Sequence, residues 1–244
     1  MKTEIKFTKY QKRGAYHWQQ MSKNPFRFNA FVAARYQQVI KALPTGENLK
    51  ILDVGCGDGV LVAMIARDQT ARVTGIDTDA DSLEAAKNRL AAFGDRVQLV
   101  EASGYSLPFE DNVFDVVVAA EMIEHLQYID GLLTEIKRVL KPGGLVIITT
   151  PVKLFDKPED PMHVQEFTPR ELKQVLAKHF SQVEVTTSHN HDLKKVYLWR
   201  FGSLGRFWFE PFRWLLNLWV LVTGMNLFSL SFGKNTNQLA TAYK

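Results

Sequence analysis

The sequence predicts an α/β fold built on a parallel sheet. Three observations carry that expectation. Short apolar runs alternate with stretches of helical period at close spacing. A glycine-rich turn, Gly55-Cys56-Gly57-Asp58-Gly59, follows the first apolar run directly. The fourth run, Phe114–Ala119, is apolar at nearly every position, as suits a strand covered on both faces.

The elements follow in order. Residues 26–43 repeat Phe28, Phe31, Val32, Tyr36, Val39 and Leu43 at intervals of three and four, which predicts a helix ended by Pro44 and Gly46. Lys50–Val54 reads as a short buried strand, and Val60–Arg67 as the helix after the glycine turn. A second strand, Arg72–Ile76, ends at Asp77, and Asp79 or Asp81 caps a helix reaching about Ala92. Val97–Val100 is a third strand and Phe114–Ala119 a fourth. The helix Tyr128–Leu140 is stopped by Lys141-Pro142-Gly143-Gly144, which turns the chain into a fifth strand, Leu145–Thr150. A loop with Pro151, Pro158 and Pro161 leads to Thr168-Pro169-Arg170-Glu171, a helix start with Thr at the cap, Pro first and Glu third. That helix is expected to run to about His179. Gln182–Thr187 and Gln238–Tyr243 complete seven strands.

At 244 residues the chain fits one large domain, or one domain with an elaboration. With 46% hydrophobic and 23% charged residues, global disorder is excluded. The single cysteine, Cys56, excludes a disulfide scaffold and a Cys-rich zinc site. The basic opening lacks an apolar run and does not read as a secretory signal, so the expected location is cytoplasmic. Charge is uneven: net +7 over residues 1–48, −8 over 49–189 and +5 over 190–244. Basic ends of this kind suit nucleic acid, anionic lipid, an acidic substrate or plain solvent.

Residues 190–236 stand apart. They hold four tryptophans, and Trp214–Phe232 is nineteen residues without a formal charge. That length is enough for a transmembrane span. One crossing, however, would part the seventh strand from its sheet. An interfacial helix or hairpin, giving peripheral membrane contact through 199–232 on the cytoplasmic face, fits better. A homodimer interface or a hydrophobic cap over the active site is the other reading. The expected organisation is an N-terminal helical lid segment (1–48), an α/β core (49–189), an aromatic-rich insertion (190–236) and the last strand (237–244).

Glycines at 55, 57 and 59 let the backbone turn sharply and approach a ligand, and the next helix aims its N-terminus at that ligand. Asp77, closing the second strand, can accept two ribose hydroxyls. The third glycine falls one place too early for the pyrophosphate fingerprint G-x-G-x-x-G. Asp53 would repel a pyrophosphate yet suit an ammonium group.

The strings ILDVGCGDG, SLPFEDNVFDVVVAAEMIEHL and RVLKPGGLVIITTP, with Asp77, resemble class I S-adenosylmethionine-dependent methyltransferases over roughly 49–189 and the last strand. The resemblance implies a Rossmann-like three-layer α/β/α fold whose last strand runs antiparallel. It implies that Gly55, Gly57 and Gly59, with Cys56 between them, border the methionyl part of S-adenosylmethionine. Asp53 would lie near its amino end, Asp77 on the ribose, and Thr78, Ser103 and Gly104 around the adenine, with Glu121 also at the cofactor. Cys56 also reads as a small buried filler.

Glu121, Glu124 and His125 end the fourth strand, and His163 lies in the loop after the fifth, at the same sheet edge. Together they can ligate Mg²⁺ or another divalent metal. The set resembles both the ubiquinone-biosynthesis O-methyltransferases and the small-RNA 3′-terminal 2′-O-methyltransferases, and implies metal-assisted O-methylation. Without metal, His125 or His163 would act as base, with Glu124 beside them. The uncharged run favours a lipidic or other small hydroxylated acceptor. RNA is less favoured, although Lys9–Arg13, Tyr16–Trp18 and Arg200–Arg213 interleave basic and aromatic residues. Carbon or nitrogen methylation and a non-enzymatic membrane or assembly factor are the other classes.

Overall fold

The computed structural model describes residues 14–68, 70–158, 160–204 and 207–244. Lys9–Arg13, named above for RNA, lie outside them. The chain opens with a short helix α1 (Tyr16–Gln20) and a longer one, α2 (Ala30–Ala42). The helix expected from residue 26 starts four residues later. Asn29 is extended and its side chain accepts the Val32 N–H, so it caps α2, while Arg27 and Phe28 fold back on the Asn24 carbonyl.

The core then alternates β1 (Lys50–Val54), α3 (Val60–Asp68), β2 (Arg72–Asp77), α4 (Ala80–Leu90), β3 (Val97–Glu101), β4 (Phe114–Ala120), α5 (Ile129–Val139) and β5 (Leu140–Pro151). Asp79 caps α4 through the Ser82 N–H. β5 begins five residues before the expected strand. Lys141–Gly144 do not form a separate turn; they lie inside β5, where its register against β4 shifts between Phe114 and Val116. A Cβ on Gly144 would sit 2.8 Å from the Lys141 carbonyl and 3.1 Å from that of Asp115, so only glycine fits the irregularity.

The remaining elements are α6 (Pro169–Leu176), β6 (Ser181–Asn190), α7 (His191–Tyr197), the ribbon β7 (Phe201–Leu204) and β8 (Phe207–Phe209), α8 (Pro211–Thr223) and β9 (Asn235–Tyr243). Both halves of the capping box at Thr168 and Glu171 are present. The seven-stranded sheet has the order β3-β2-β1-β4-β5-β9-β6, with β9 antiparallel to both β5 and β6. Helices cover both faces, giving the expected three-layer Rossmann-like fold. β6 runs on to Asn190 and β9 starts at Asn235, so the excursion from the sheet covers 191–234. Its ends are register partners, Asn190 opposite Asn235.

Two apolar clusters fill the two sides of the sheet. One centres on Leu52, Val117, Leu132, Ile136 and Ile148, the other on Ile51, Val62, Ile65, Val116 and Ile147. A third joins α2 to the excursion: Phe28, Ala30, Ala33 and Ala34 meet Tyr197, Val220 and Phe228. The small residues let the helices approach closely. No helix among the described residues is long and apolar enough to cross a membrane.

Candidate active site

The carboxyl ends of β1, β2, β4 and β5 open into one cleft of about 1740 Å³. That is the place where open α/β sheets hold ligands. A single drug-sized molecule takes roughly 300–1,000 Å³, so this cleft has room for two ligands side by side.

One end is built by the glycine loop. Gly55, Gly57 and Gly59 all have positive φ, +77°, +53° and +76°, which other L-residues avoid. A Cβ on Gly59 would come within 2.8 Å of Leu90 Cδ1, so this glycine also lets α4 pack against the loop. Asp77 ties the loop to the sheet: one carboxylate oxygen accepts the Gly57 N–H at 2.8 Å, the other the Asp79 N–H at 2.9 Å. The Thr78 backbone N–H donates to the Asp77 carboxylate as well. Burial raises its pKa above the usual range, although these backbone donors oppose the rise. Asp53 is 2% exposed, borders the cleft, and has a buried Oδ2 without a partner. Burial, then the charge of Asp77, pushes it up to about 7. Such an orphaned carboxylate oxygen fits a cationic donor.

Thr78, Ser103 and Gly104 also line the cleft. Cys56 borders the cleft too, but its thiol packs against β2, 2.9 Å from where a Cβ on Gly75 would stand, and burial drives its pKa up. It is a filler and not a nucleophile.

The other end holds the acid and imidazole groups. Glu124, His125 and His163 bring one ligand atom each within 4.8 Å of one another. The short turn Ile123–His125 presents the first two. The loop bearing His163 is strapped on by the Val164 and Gln165 N–H groups, which donate to the Glu124 carbonyl. His125 Nδ1 lies 3.0 Å from the Met162 carbonyl, and His163 Nδ1 lies 2.7 Å from Glu166 Oε1. A carbonyl can only accept, so His125 Nδ1 carries its proton and Nε2 is the lone-pair atom. The Glu166 carboxylate orients His163 in the same sense. Glu124 is 1% exposed and takes a hydrogen bond from Thr150 Oγ1 at 2.9 Å. Burial and then the charge of Glu121 hold it well above the usual carboxylate range.

Glu121 departs from expectation. It lines the cleft but does not join the cluster. Arg35 Nη1 pairs with one of its oxygens at 2.6 Å and Asn237 Nδ2 donates to the other at 2.8 Å. Its backbone is left-handed, φ +53°.

Two cleft residues, Arg35 and Glu166, and Asp58 of the glycine loop were not singled out from the sequence. Arg35 comes from α2, one turn after Phe31, and the shared helical face was the available signal. Glu166 stands three residues after His163. Asp58, 1% exposed, accepts both His17 N–H groups, backbone at 3.0 Å and ring Nδ1 at 3.1 Å, and its carbonyl accepts Trp18 Nε1 at 2.6 Å. These bonds seat α1 on the glycine loop.

A family profile described as a methyltransferase domain matches residues 52–148. Residues 52–148 form a methyltransferase domain. This domain is 36% identical over 124 residues to a sterol 4-C-methyltransferase of Caenorhabditis elegans, covering 50% of this chain and 37% of that protein. It is 33% identical over 119 residues to a ubiquinone biosynthesis O-methyltransferase of a Chelativorans species, covering 49% of this chain and 47% of the relative. The chain thus spans about half the length, or less, of these relatives. Among solved structures, a Haemonchus contortus phosphoethanolamine N-methyltransferase with bound S-adenosylmethionine aligns with TM-score 0.66 and 19% identity, over 98% of this chain and 60% of that one. At that identity the likeness shows the fold. The matched residues include the glycine loop, Asp53, Asp77, Glu124 and His125, whereas His163 lies beyond them.

Proposed function

We propose that this chain transfers the methyl group of S-adenosylmethionine to a hydroxyl oxygen of an apolar, hydroxylated acceptor, with a divalent metal at Glu124, His125 and His163. The observation that carries the reading is the juxtaposition, in one cleft, of the orphaned Asp53 carboxylate and a two-imidazole, one-carboxylate cluster. Both histidines have Nδ1 engaged with an oxygen acceptor, the usual second partner of a metal-binding imidazole. Among the divalent metals that the sequence leaves open, the donor set suits Mn²⁺, Fe²⁺ or Zn²⁺ better than Mg²⁺, because two of three ligands are nitrogen. Three protein ligands leave positions open for the acceptor's oxygens. A bound divalent ion would supply Lewis acidity, lowering the pKa of the attacking hydroxyl.

The chain's own residues do the rest. Asp53 receives the ammonium end of the cofactor and Asp77 its ribose hydroxyls. The glycine loop brings backbone close to the methionyl part. α1, seated on Asp58, serves as a lid that excludes water over that loop. Glu124, His125 and His163 hold the acceptor oxygen in line with the methyl, so positioning and charge stabilisation provide most of the acceleration. Sterol and ubiquinone names among the relatives support an isoprenoid or quinone-like acceptor. Eight acids line the cleft, among them Asp53, Asp77, Asp79, Asp81, Glu121 and Glu124, which disfavours a polyphosphate such as RNA.

The test is methyl transfer from labelled S-adenosylmethionine to an alkyl-substituted catechol, with Mn²⁺ or with chelator. Metal-dependent transfer that is lost in Glu124→Gln and His163→Ala, with cofactor binding kept, supports the reading. Transfer indifferent to chelator, with product methylated on carbon, overturns the metal and oxygen assignments and leaves the methyltransferase one. Tight, salt-sensitive binding of RNA in the cleft overturns the acceptor class.

A further inference from the structure

α8 buries an asparagine beside Val220 and turns apolar side chains outward. Asn217 is fully buried, and it donates to the Pro25 and Phe28 carbonyls at 2.8 and 2.7 Å while accepting from Tyr197 Oη and the Ala30 N–H at 2.8 and 3.2 Å. The outward face is apolar: Phe212, Leu215, Leu218, Trp219 and Val222 are exposed, Val222 to 76%. Leu215, Leu218 and Val222 recur at three and four residues and so form one stripe. The four bonds of Asn217 fix the helix in this rotation. The patch continues beyond the helix. Trp199 lies 5.8 Å from Phe201 and 5.9 Å from Phe212, and Phe26 lies 6.2 Å from Trp214. A face of this extent marks a contact surface.

We infer that this face docks on an anionic lipid surface. The charge around it decides between occupants. Residues 190–236 carry six Lys or Arg against two Asp or Glu. One of the two acids, Glu210, is taken by both Arg200 and Arg213, at 2.9 and 2.8 Å. Lys23 and Arg27 flank Phe26 in the chain. A second copy of this chain would bring basic rim against basic rim, since a two-fold contact pairs each patch with itself. Anionic headgroups complement the rim, with tryptophan at headgroup depth and the aliphatic stripe below. At 13 residues α8 is about 20 Å long, short of the roughly 30 Å hydrocarbon core, so it lies in the interface and does not span it. The excursion that carries this face also reaches the cleft: Lys194 and, just past its end, Thr236 line the cleft with Phe155, and Lys234 sits 4.9 Å over the Phe155 ring. Docking brings the cleft toward the source of an apolar acceptor. The docking itself is independent of the methyl-transfer reading.

The experiment is co-sedimentation of the full chain with phosphatidylcholine vesicles, with and without phosphatidylglycerol, alongside light scattering and tryptophan emission. The expected result is binding to the anionic vesicles that weakens with salt, together with a blue-shifted emission. Leu215→Glu and Val222→Glu are each expected to reduce partitioning by about tenfold, since each removes one inserted aliphatic side chain. Both side chains point outward, so the unfolding temperature and S-adenosylmethionine binding stay as in the wild type. Absence of binding to either vesicle overturns the inference. So does partitioning unchanged in both variants, or a stable dimer that the variants dissociate.

Discussion

Changing Asp53 to Asn makes two opposite demands on the protein. In the unfolded chain this carboxyl titrates near 3.8, and in the folded one near 7, because burial and the neighbouring Asp77 charge both resist ionisation. Between those values the native state keeps a proton that the unfolded chain has released, so stability falls as pH rises through the window and the loss is complete above 7. At 1.36 kcal/mol per unit, the ionised Asp53 costs the cofactor-free protein up to about 4 kcal/mol. Asparagine keeps the shape of the protonated acid and never ionises. The variant is therefore expected to melt higher than wild type well above pH 7, by as much as about 10 °C, and at the same temperature where Asp53 is protonated in both states. Cofactor binding should move the other way. Without a carboxylate for the ammonium, affinity falls by about ten- to a hundredfold, the worth of a charge-assisted hydrogen bond. Wild-type affinity should itself weaken as pH drops below 7, and the variant's should not. Differential scanning calorimetry and isothermal titration across pH measure both. A variant that melts lower well above pH 7, or that binds S-adenosylmethionine as tightly as wild type, would refute the account of Asp53 as a strained carboxylate awaiting a cation.

Other substitutions probe the remaining parts. Glu166→Gln removes the carboxylate behind His163 and should weaken Mn²⁺ affinity or metal-dependent turnover about 10- to 100-fold, with cofactor affinity unchanged, as read by metal titration. Gly59→Ala forces a left-handed alanine against Leu90, and urea unfolding should show a loss of about 2–4 kcal/mol together with weaker cofactor binding. Asn217→Leu leaves the Pro25 and Phe28 carbonyls without donors in a buried site, which should cost about 3 kcal/mol in urea unfolding.

The chain alternation, the glycine loop and Asp77 were legible because each rests on local chemistry: period, positive φ and a strand end. The capping box at Thr168 was readable for the same reason, since all its bonds span three residues. What escaped was non-local. Nothing near Glu121 in sequence reveals that Arg35, from a helix 86 positions earlier, neutralises it. Nor does the sequence around Asn217 reveal that it faces inward: a lone Asn among apolar residues reads as a weak polar face, and only Tyr197 and the backbone before α2 reverse that. The early start of β5 was hidden because Pro142-Gly143-Gly144 is a turn signal by composition, yet the neighbouring strand tolerates it as an irregularity.

The register pairing of Asn190 with Asn235 makes residues 191–234 equivalent, from the sheet's side, to the loop of a hairpin. His191 N–H donates to the Lys234 carbonyl at 2.7 Å, closing the excursion at its neck like a stem. A designed short turn could therefore replace the whole excursion while β6 and β9 stay paired. The exchange would remove the buttress of α2, the helix that places Phe31, Val32 and Arg35 in the cleft. Topologically the excursion is an appendage; mechanically it is the support behind one wall of the cleft.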